Sequence, residues 1–220
     1  GVETEWPALK AVIKTMERLN NNLEFDKGDI ISRSNAPEIR FENVDYSYVG
    51  DKKNVLKSLS FRIKQGEIAA IVGPSGAGKS TLVDLIPRLK IPKKGTIYLN
   101  EINVNNLNLK KLRNSVGYLP QTPQILEGTL AEHVRYGNIR ISDKEVIEAL
   151  EKAGCKSFLE KINYNLDVKI GIEGAKLSGG ERQRIDLARV LARKASILIL
   201  DEPSSNLDIL TEEVINKAIL

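Results

Sequence analysis

Apolar residues recur at helical spacing along the first stretch of the chain. Trp6, Leu9, Val12, Ile13, Met16 and Leu19 share one face of a helix predicted over 6–19, and Pro7 suits its first turn. Asn20–Asn22 and the polar run 26–37 break the pattern, so residues 1–37 are expected to be an N-terminal helix and linker. From Glu38 the period becomes two. Ile39–Phe41, Val44–Val49 and Val55–Ile63 alternate around turns at Gly50-Asp51 and Gln65-Gly66, as antiparallel strands do. Ile68–Val72 is a continuous apolar run, expected as a strand buried on both faces, followed by a glycine-rich loop, a helix over 80–89 and a strand over 95–99. Helical period then dominates, over 129–136, 143–153 and 181–194. A second apolar run, Ile197–Leu200, predicts another fully buried strand, and a helix begins near residue 212. Antiparallel strands, a strand–loop–helix, a helical insert and a buried strand together predict an α/β fold.

Composition narrows the options. At 220 residues, 41% hydrophobic and 28% charged, the chain has ordinary globular composition, which excludes a disordered or collagen-like class. The longest apolar runs fall far short of the about 20 residues a spanning helix needs. The single cysteine, Cys155, excludes an internal disulfide framework and fits a reducing compartment. The net charge of +4 is dispersed, without the basic stripe of a nucleic-acid binder, so no nucleic-acid partner is expected. The lone histidine, His133, leaves no histidine-rich metal site.

Two segments carry phosphate chemistry. Gly73-Pro74-Ser75-Gly76-Ala77-Gly78-Lys79-Ser80 fits G-x-x-x-x-G-K-[ST] at every position, with an apolar run before it and a helix, starting with Ser80 and Thr81, after it. Glycines let the backbone wrap phosphate oxygens closely, Lys79 supplies a compact charge to the β- and γ-phosphates, and the Ser80 hydroxyl is a magnesium ligand. Asp201-Glu202 closes the second apolar run. A carboxylate there stands at the carboxyl edge of a sheet, where ligands of open α/β folds bind. Asp201 is expected to hold magnesium, and Glu202 to polarise or deprotonate the attacking water.

Leu177-Ser178-Gly179-Gly180-Glu181-Arg182-Gln183-Arg184 resembles the signature sequence of the ATP-binding cassette (ABC) ATPases, and it lies between the two phosphate segments as in that family. The resemblance extends over Glu38–Leu210. It implies a P-loop NTPase (RecA-like) core with an antiparallel β subdomain and an inserted α-helical subdomain at about 121–190, within an ATPase domain spanning 38–220. It implies ATP and Mg2+ as cofactors, with hydrolysis in a head-to-tail dimer, the partner being an identical or homologous ATPase domain. Ser178, Gly179 and Gly180 would cradle the partner's γ-phosphate; Ser178 as a plain N-cap is compatible with this. Tyr48 resembles the adenine-stacking aromatic, with Val55 beside it, although packing alone also suits a tyrosine on that strand. Gln121, in Gly117-Tyr118-Leu119-Pro120-Gln121, resembles the glutamine that touches magnesium and the attacking water. Ser204-Ser205-Asn206-Leu207-Asp208 resembles the loop that signals across the dimer.

Gly128–Val134 and Val168–Gly174 resemble exporter-type segments, with His133 where asparagine is usual and Glu173 one place later than the usual glutamate. The implied setting is the cytoplasmic face of a membrane, the cell membrane being favoured, beside a transmembrane domain whose export substrate the chain does not specify. An importer-type subunit, a soluble nucleotide-gated clamp and a binding-only module are the alternatives. The clamp usually carries a long coiled coil, and only about a hundred residues separate Ser80 from Leu177, with no heptad run. The family's later γ-phosphate histidine has no counterpart among the 12 residues after Asp208, so the chain is expected to be C-terminally truncated, with little ATPase activity of its own.

Overall fold

The computed structural model describes residues 37–51, 53–171 and 177–201. The helix expected over 6–19, the linker, residues 172–174, Glu202, the 204–208 loop and the helix near 212 lie outside the described residues.

The period-two segment forms an antiparallel sheet. β1 (Ile39–Tyr46) pairs with β2 (Leu56–Ile63) on one side and β3 (Lys94–Leu99) on the other, and the short β4 (Ile102–Asn103) continues the order β2-β1-β3-β4. Alternation along β1 buries Ile39, Phe41, Val44 and Tyr46. The phase slips between Phe41 and Val44, where the register shifts and Asn43 takes a φ of 48°. An extra residue at a bulge moves the next side chains back onto the buried face. Phe41 stacks on Phe61 of β2 with centroids 4.5 Å apart.

The glycine-rich loop leads into α1 (Lys79–Leu85). The sequence predicted a helix to 89, but Pro87 lacks an N–H and Arg88 takes a φ of 55°, so the helix ends earlier. A 3-10 turn (Val104–Asn106) and α2 (Leu109–Asn114), capped by the Asn108 side chain, lead to β5 (Val116–Leu119). β5 pairs in parallel with β8 (Ile197–Leu200), Val116 opposite Ile197 and Leu119 opposite Leu200. Leu82 and Leu85 of α1 join Ile97, Leu99, Ile197 and Ile199 in one core, so α1 seals the antiparallel sheet onto the β5–β8 pair.

The helical insert separates β5 from β8 in sequence. It holds β6 (Gly128–Thr129), α3 (Leu130–Val134), α4 (Asp143–Lys152), α5 (Lys156–Lys161), β7 (Lys169–Ile170) and α6 (Gly179–Ala192). α3, α4 and α6 each open on a capping box: Thr129 with Glu132, Ser142 with Glu145, Ser178 with Glu181. In each, the hydroxyl accepts the N–H three residues on and the carboxylate accepts the cap's own N–H, satisfying two otherwise orphan donors. These helices bury a second core around Leu130, Val146, Leu150, Leu159 and Ile185. Cys155 lies inside it, and burial pushes its thiol up to about 12, so it stays an inert thiol.

One expectation is corrected. The run 68–72 forms no ladder with β8 among the described residues; Ile68 is 66% and Val72 88% exposed. β8 is likewise not fully buried, since Leu198 is 37% exposed. Apolar content makes a segment compatible with a buried strand, but burial on both faces also requires a hydrogen-bonded neighbour and cover. β8 finds its neighbour in β5 on one edge. On its other side a cavity of about 470 Å³, lined by Ile68–Ile71 and Ser196–Asp201, separates it from the apolar run.

Candidate functional site

The loop 73–80 turns twice through left-handed backbone, at Gly76 (φ 78°) and at Gly78 (φ 93°), which caps α1. A Cβ at Gly78 would lie 2.9 Å from Val55 Cγ1, so Val55 packs against the loop's base. The Ala77 N–H donates to the Pro74 carbonyl at 3.1 Å, and Lys79 Nζ donates to the carbonyls of Gly73 and Pro74 at 3.0 and 3.2 Å. The lysine charge is thereby held over the loop. Ser80 is exposed and Thr81 buried, as expected of successive residues at the start of a helix that packs on one face.

Asp201 follows β8 directly. Its N–H donates to the Leu119 carbonyl at 3.0 Å, so Asp201 and Gln121, which is exposed two residues past β5, leave the parallel pair at the same carboxyl edge. Lys79 and Asp201 line the same cavity. The fold therefore brings the glycine-rich loop, Gln121 and Asp201 to one edge; Glu202 lies outside the described residues.

Tyr48 extends the site away from the loop. Its ring is 42% exposed and meets Tyr46 edge-on at 5.3 Å. Its hydroxyl pairs with Thr81 Oγ1 at 2.8 Å, and Lys90 Nζ donates to it at 3.2 Å from a position 5.0 Å from the ring centroid. These bonds, to Thr81 first and then to Lys90, hold the Tyr48 hydroxyl below its ordinary pKa. Lys90 also donates to Asp84 Oδ2 at 2.8 Å, and Asp84 Oδ1 accepts the Tyr118 hydroxyl at 3.0 Å. Sequence reasoning missed Asp84, Lys90 and Tyr118, because no spacing signal links residues from α1, the segment after it and β5.

The signature segment sits apart, at the mouth of α6. Ser178 and Gly179 are exposed, the Ser178 N–H donates to Glu181 Oε2 at 2.8 Å, and its hydroxyl accepts the Glu181 N–H at 3.2 Å. The N-cap reading of Ser178 is thus observed, with Gly179 open to solvent above it.

His133 is enclosed behind the glutamine segment, within the insert. Its Nδ1 accepts the Leu126 N–H at 3.3 Å, and its Nε2 stands 3.8 Å from Asp186 Oδ1. Asp186 in turn accepts the Arg189 Nε–H at 2.6 Å and the Gln124 N–H at 3.2 Å. Burial drives the imidazole down to about 4 despite the opposing pull of Asp186. The unfolded chain therefore takes up a proton on acidification that the folded chain refuses. The stability this contributes is complete above the ordinary value of 6.5 and is lost as pH falls towards 4. Between about pH 7 and about pH 5 the loss is expected to be about 2 kcal/mol. Urea unfolding of the wild type and of His133→Asn at both pH values reads it as a difference, and identical pH slopes in the two proteins would refute it.

The fold and the site together define a nucleotide-binding ATPase domain of the phosphate-loop class. Residues 56–205 match the family model described as ABC transporter. The chain is 39% identical over 194 residues to the ABC multidrug transporter mdr2 of Aspergillus fumigatus, covering 88% of this chain and 24% of that protein. It is 39% identical over 202 residues to the ATP-dependent lipid A-core flippase of Coxiella burnetii, covering 91% and 34%. Among solved structures it superposes on a bacterial Atm1-family ABC exporter with ATP bound at a TM-score of 0.82 and 33% identity, covering 94% of this chain and 36% of that one. The chain belongs to the ABC transporter family. It spans about a quarter to a third of the length of the curated relatives it matches. Among the described residues no helix is long and apolar enough to cross a membrane.

Proposed function

We propose that this chain binds Mg-ATP and, paired head to tail with a second ATPase domain, hydrolyses it to power export through a transmembrane domain. The observation that carries the reading is the meeting of Lys79 and Asp201 in one cavity at the edge where the glycine-rich loop and Gln121 also emerge. In this reading the N–H groups of Gly76, Gly78, Lys79, Ser80 and Thr81 face the phosphates, Gly73, Pro74, Ser75 and Ala77 shape the turn that presents them, Lys79 neutralises the β- and γ-oxygens, and Tyr48 stacks on adenine above Val55. Ser178 and Gly179, open at the mouth of α6, and the half-buried Gly180 beside them receive the γ-phosphate bound by the partner domain. Gln121 orients the attacking water and Glu202 accepts its proton.

Magnesium fits the donors present. The Ser80 hydroxyl, an Asp201 carboxylate oxygen and the Gln121 amide oxygen are hard ligands, few enough to leave positions for phosphate oxygens and water, as this ion prefers. The chemistry such an ion supplies is neutralisation of charge on the transferred phosphoryl group. Export, a setting on the cytoplasmic face of a membrane, and a second ATPase domain of either identical or homologous sequence are supported by the kinds of relatives the chain resembles, an exporter and a flippase among them. Glu202→Gln is expected to slow hydrolysis by about a hundredfold or more and to accumulate an ATP-bound dimer. Light scattering of the variant with ATP checks this, and a strictly monomeric product would overturn the head-to-tail reading.

A further inference from the structure

Tyr48 stands where its own neighbours in the chain hold little. It opens the turn after β1, its carbonyl accepting the Asp51 N–H at 3.1 Å, and Val49, Gly50 and Asp51 are exposed. A tyrosine ring on such a turn has several rotamers open to it, and a base gains most from stacking on a ring that is already held. The hold comes from α1. Thr81 and Asp84 are three residues apart, on one face of that helix. The buried Thr81 pairs its Oγ1 with the Tyr48 hydroxyl at 2.8 Å. The chain after α1 folds back over Asp84, whose carbonyl accepts the N–H groups of Leu89 and Lys90 at 3.0 and 3.3 Å. This sets the Lys90 ammonium 2.8 Å from Asp84 Oδ2 and 3.2 Å from the Tyr48 hydroxyl. Asp84 is fixed in turn, because its other oxygen accepts the Tyr118 hydroxyl at 3.0 Å. An ammonium has donors only, so the phenol oxygen accepts from it and the phenol proton is left for Thr81.

We infer that Lys90 is a positioning residue for nucleotide binding: anchored on Asp84, it locks the Tyr48 ring in one orientation to α1 and so fixes the base platform relative to the phosphate loop. The loop runs directly into α1, and Thr81, which shares the Tyr48 hydroxyl with Lys90, is two residues past Lys79. The base end and the phosphate end of the pocket thus take one helix as their common reference, and a nucleotide meets a ring already turned to receive it. The inference rests on the proposed reading of Tyr48 as the surface on which adenine stacks.

The affinity of the chain for ATP, read by calorimetric titration at fixed Mg2+, tests this in a double-mutant cycle. Lys90→Met keeps the aliphatic stem and removes the ammonium; Tyr48→Phe keeps the ring and removes the hydroxyl. Each is expected to weaken ATP binding by about threefold to tenfold, the scale of one hydrogen bond. Because both remove the same link, the double variant is expected to lose no more than the weaker of the two single variants. A general pull of the ammonium on phosphate, or a general loosening of the loop, would act in the Tyr48→Phe background as well, so additive losses would overturn the inference. Wild-type affinity in either single variant would overturn it too. Tyr48→Ala at wild-type affinity would instead remove Tyr48 from the base site, and failure of the wild-type chain to bind ATP would overturn the Mg-ATP reading itself.

Discussion

Replacing Lys79 by alanine is expected to weaken ATP binding by about a hundredfold and to lower any turnover by about a hundredfold to a thousandfold, the range seen when one preorganised charge donor is removed from a phosphoryl or oxyanion site. The ammonium is held over the loop by the Gly73 and Pro74 carbonyls, at 3.0 and 3.2 Å, beside the cavity it shares with Asp201. Alanine there removes the full positive charge that the proposed reading sets against the β- and γ-phosphate oxygens. Lys79→Arg is expected to recover only part of the loss, because a planar fork does not fit where a compact point charge does. The loop's own turns depend on Gly76 and Gly78 rather than on the lysine, so thermal unfolding is expected to move by no more than a few degrees. Calorimetric titration with ATP and Mg2+, run beside a thermal melt, separates the two effects. Near-wild-type affinity for Lys79→Ala would remove the glycine-rich loop from the nucleotide site.

The sequence carried this loop well because its chemistry is local. Eight consecutive residues define the turn, the cap and the lysine together, and the α1 that follows needs little from elsewhere to start. The cap by Ser178 on α6 was legible for the same reason, and the structure extends it to capping boxes on α3, α4 and α6, where a hydroxyl and a carboxylate three residues apart make a closed set of contacts. Helix ends were less so, as α1 shows, where Pro87 and the turn at Arg88 stop it four residues short of the periodic pattern. The apolar run 68–72 shows the limit from the other side. Its composition is that of a buried strand, yet strand formation is decided by a partner edge, and that is a property of the whole sheet. The bridge from Tyr48 through Lys90 and Asp84 to Tyr118 was illegible for a related reason. It is assembled from β1's exit, α1, the loop after it and β5, and none of its members has a spacing that announces the others. His133 stood at a position that the family resemblance could label. Its partners Leu126 and Asp186 come from both sides of the insert, so its depressed pKa followed only from the packing.

Gly95→Ala is expected to be the most damaging single methyl addition to the antiparallel sheet. Gly95 sits in β3 at a φ of 80°, and a Cβ there would lie 2.3 Å from the carbonyl oxygens of both Glu42 and Asn43. Those oxygens are backbone atoms at the β1 bulge, where the β1–β3 register shifts between Glu42 and Asp45. No side-chain rotation can relieve the clash; the bulge itself must open, and with it the ladder that seats α1 over the sheet. The left-handed backbone alone costs about 1–2 kcal/mol for a residue with a Cβ. The clash adds to that, for an expected total of about 3 kcal/mol or more, a fall in melting temperature of about 6–12 °C for a chain of this size. Gly50→Ala separates the two contributions, since Gly50 has a φ of 89° with nothing within 4 Å of its would-be Cβ. It is expected to lose only the backbone share. Equal melting shifts in the two variants would mean that the bulge yields freely, and would remove close backbone approach as the reason for glycine at position 95.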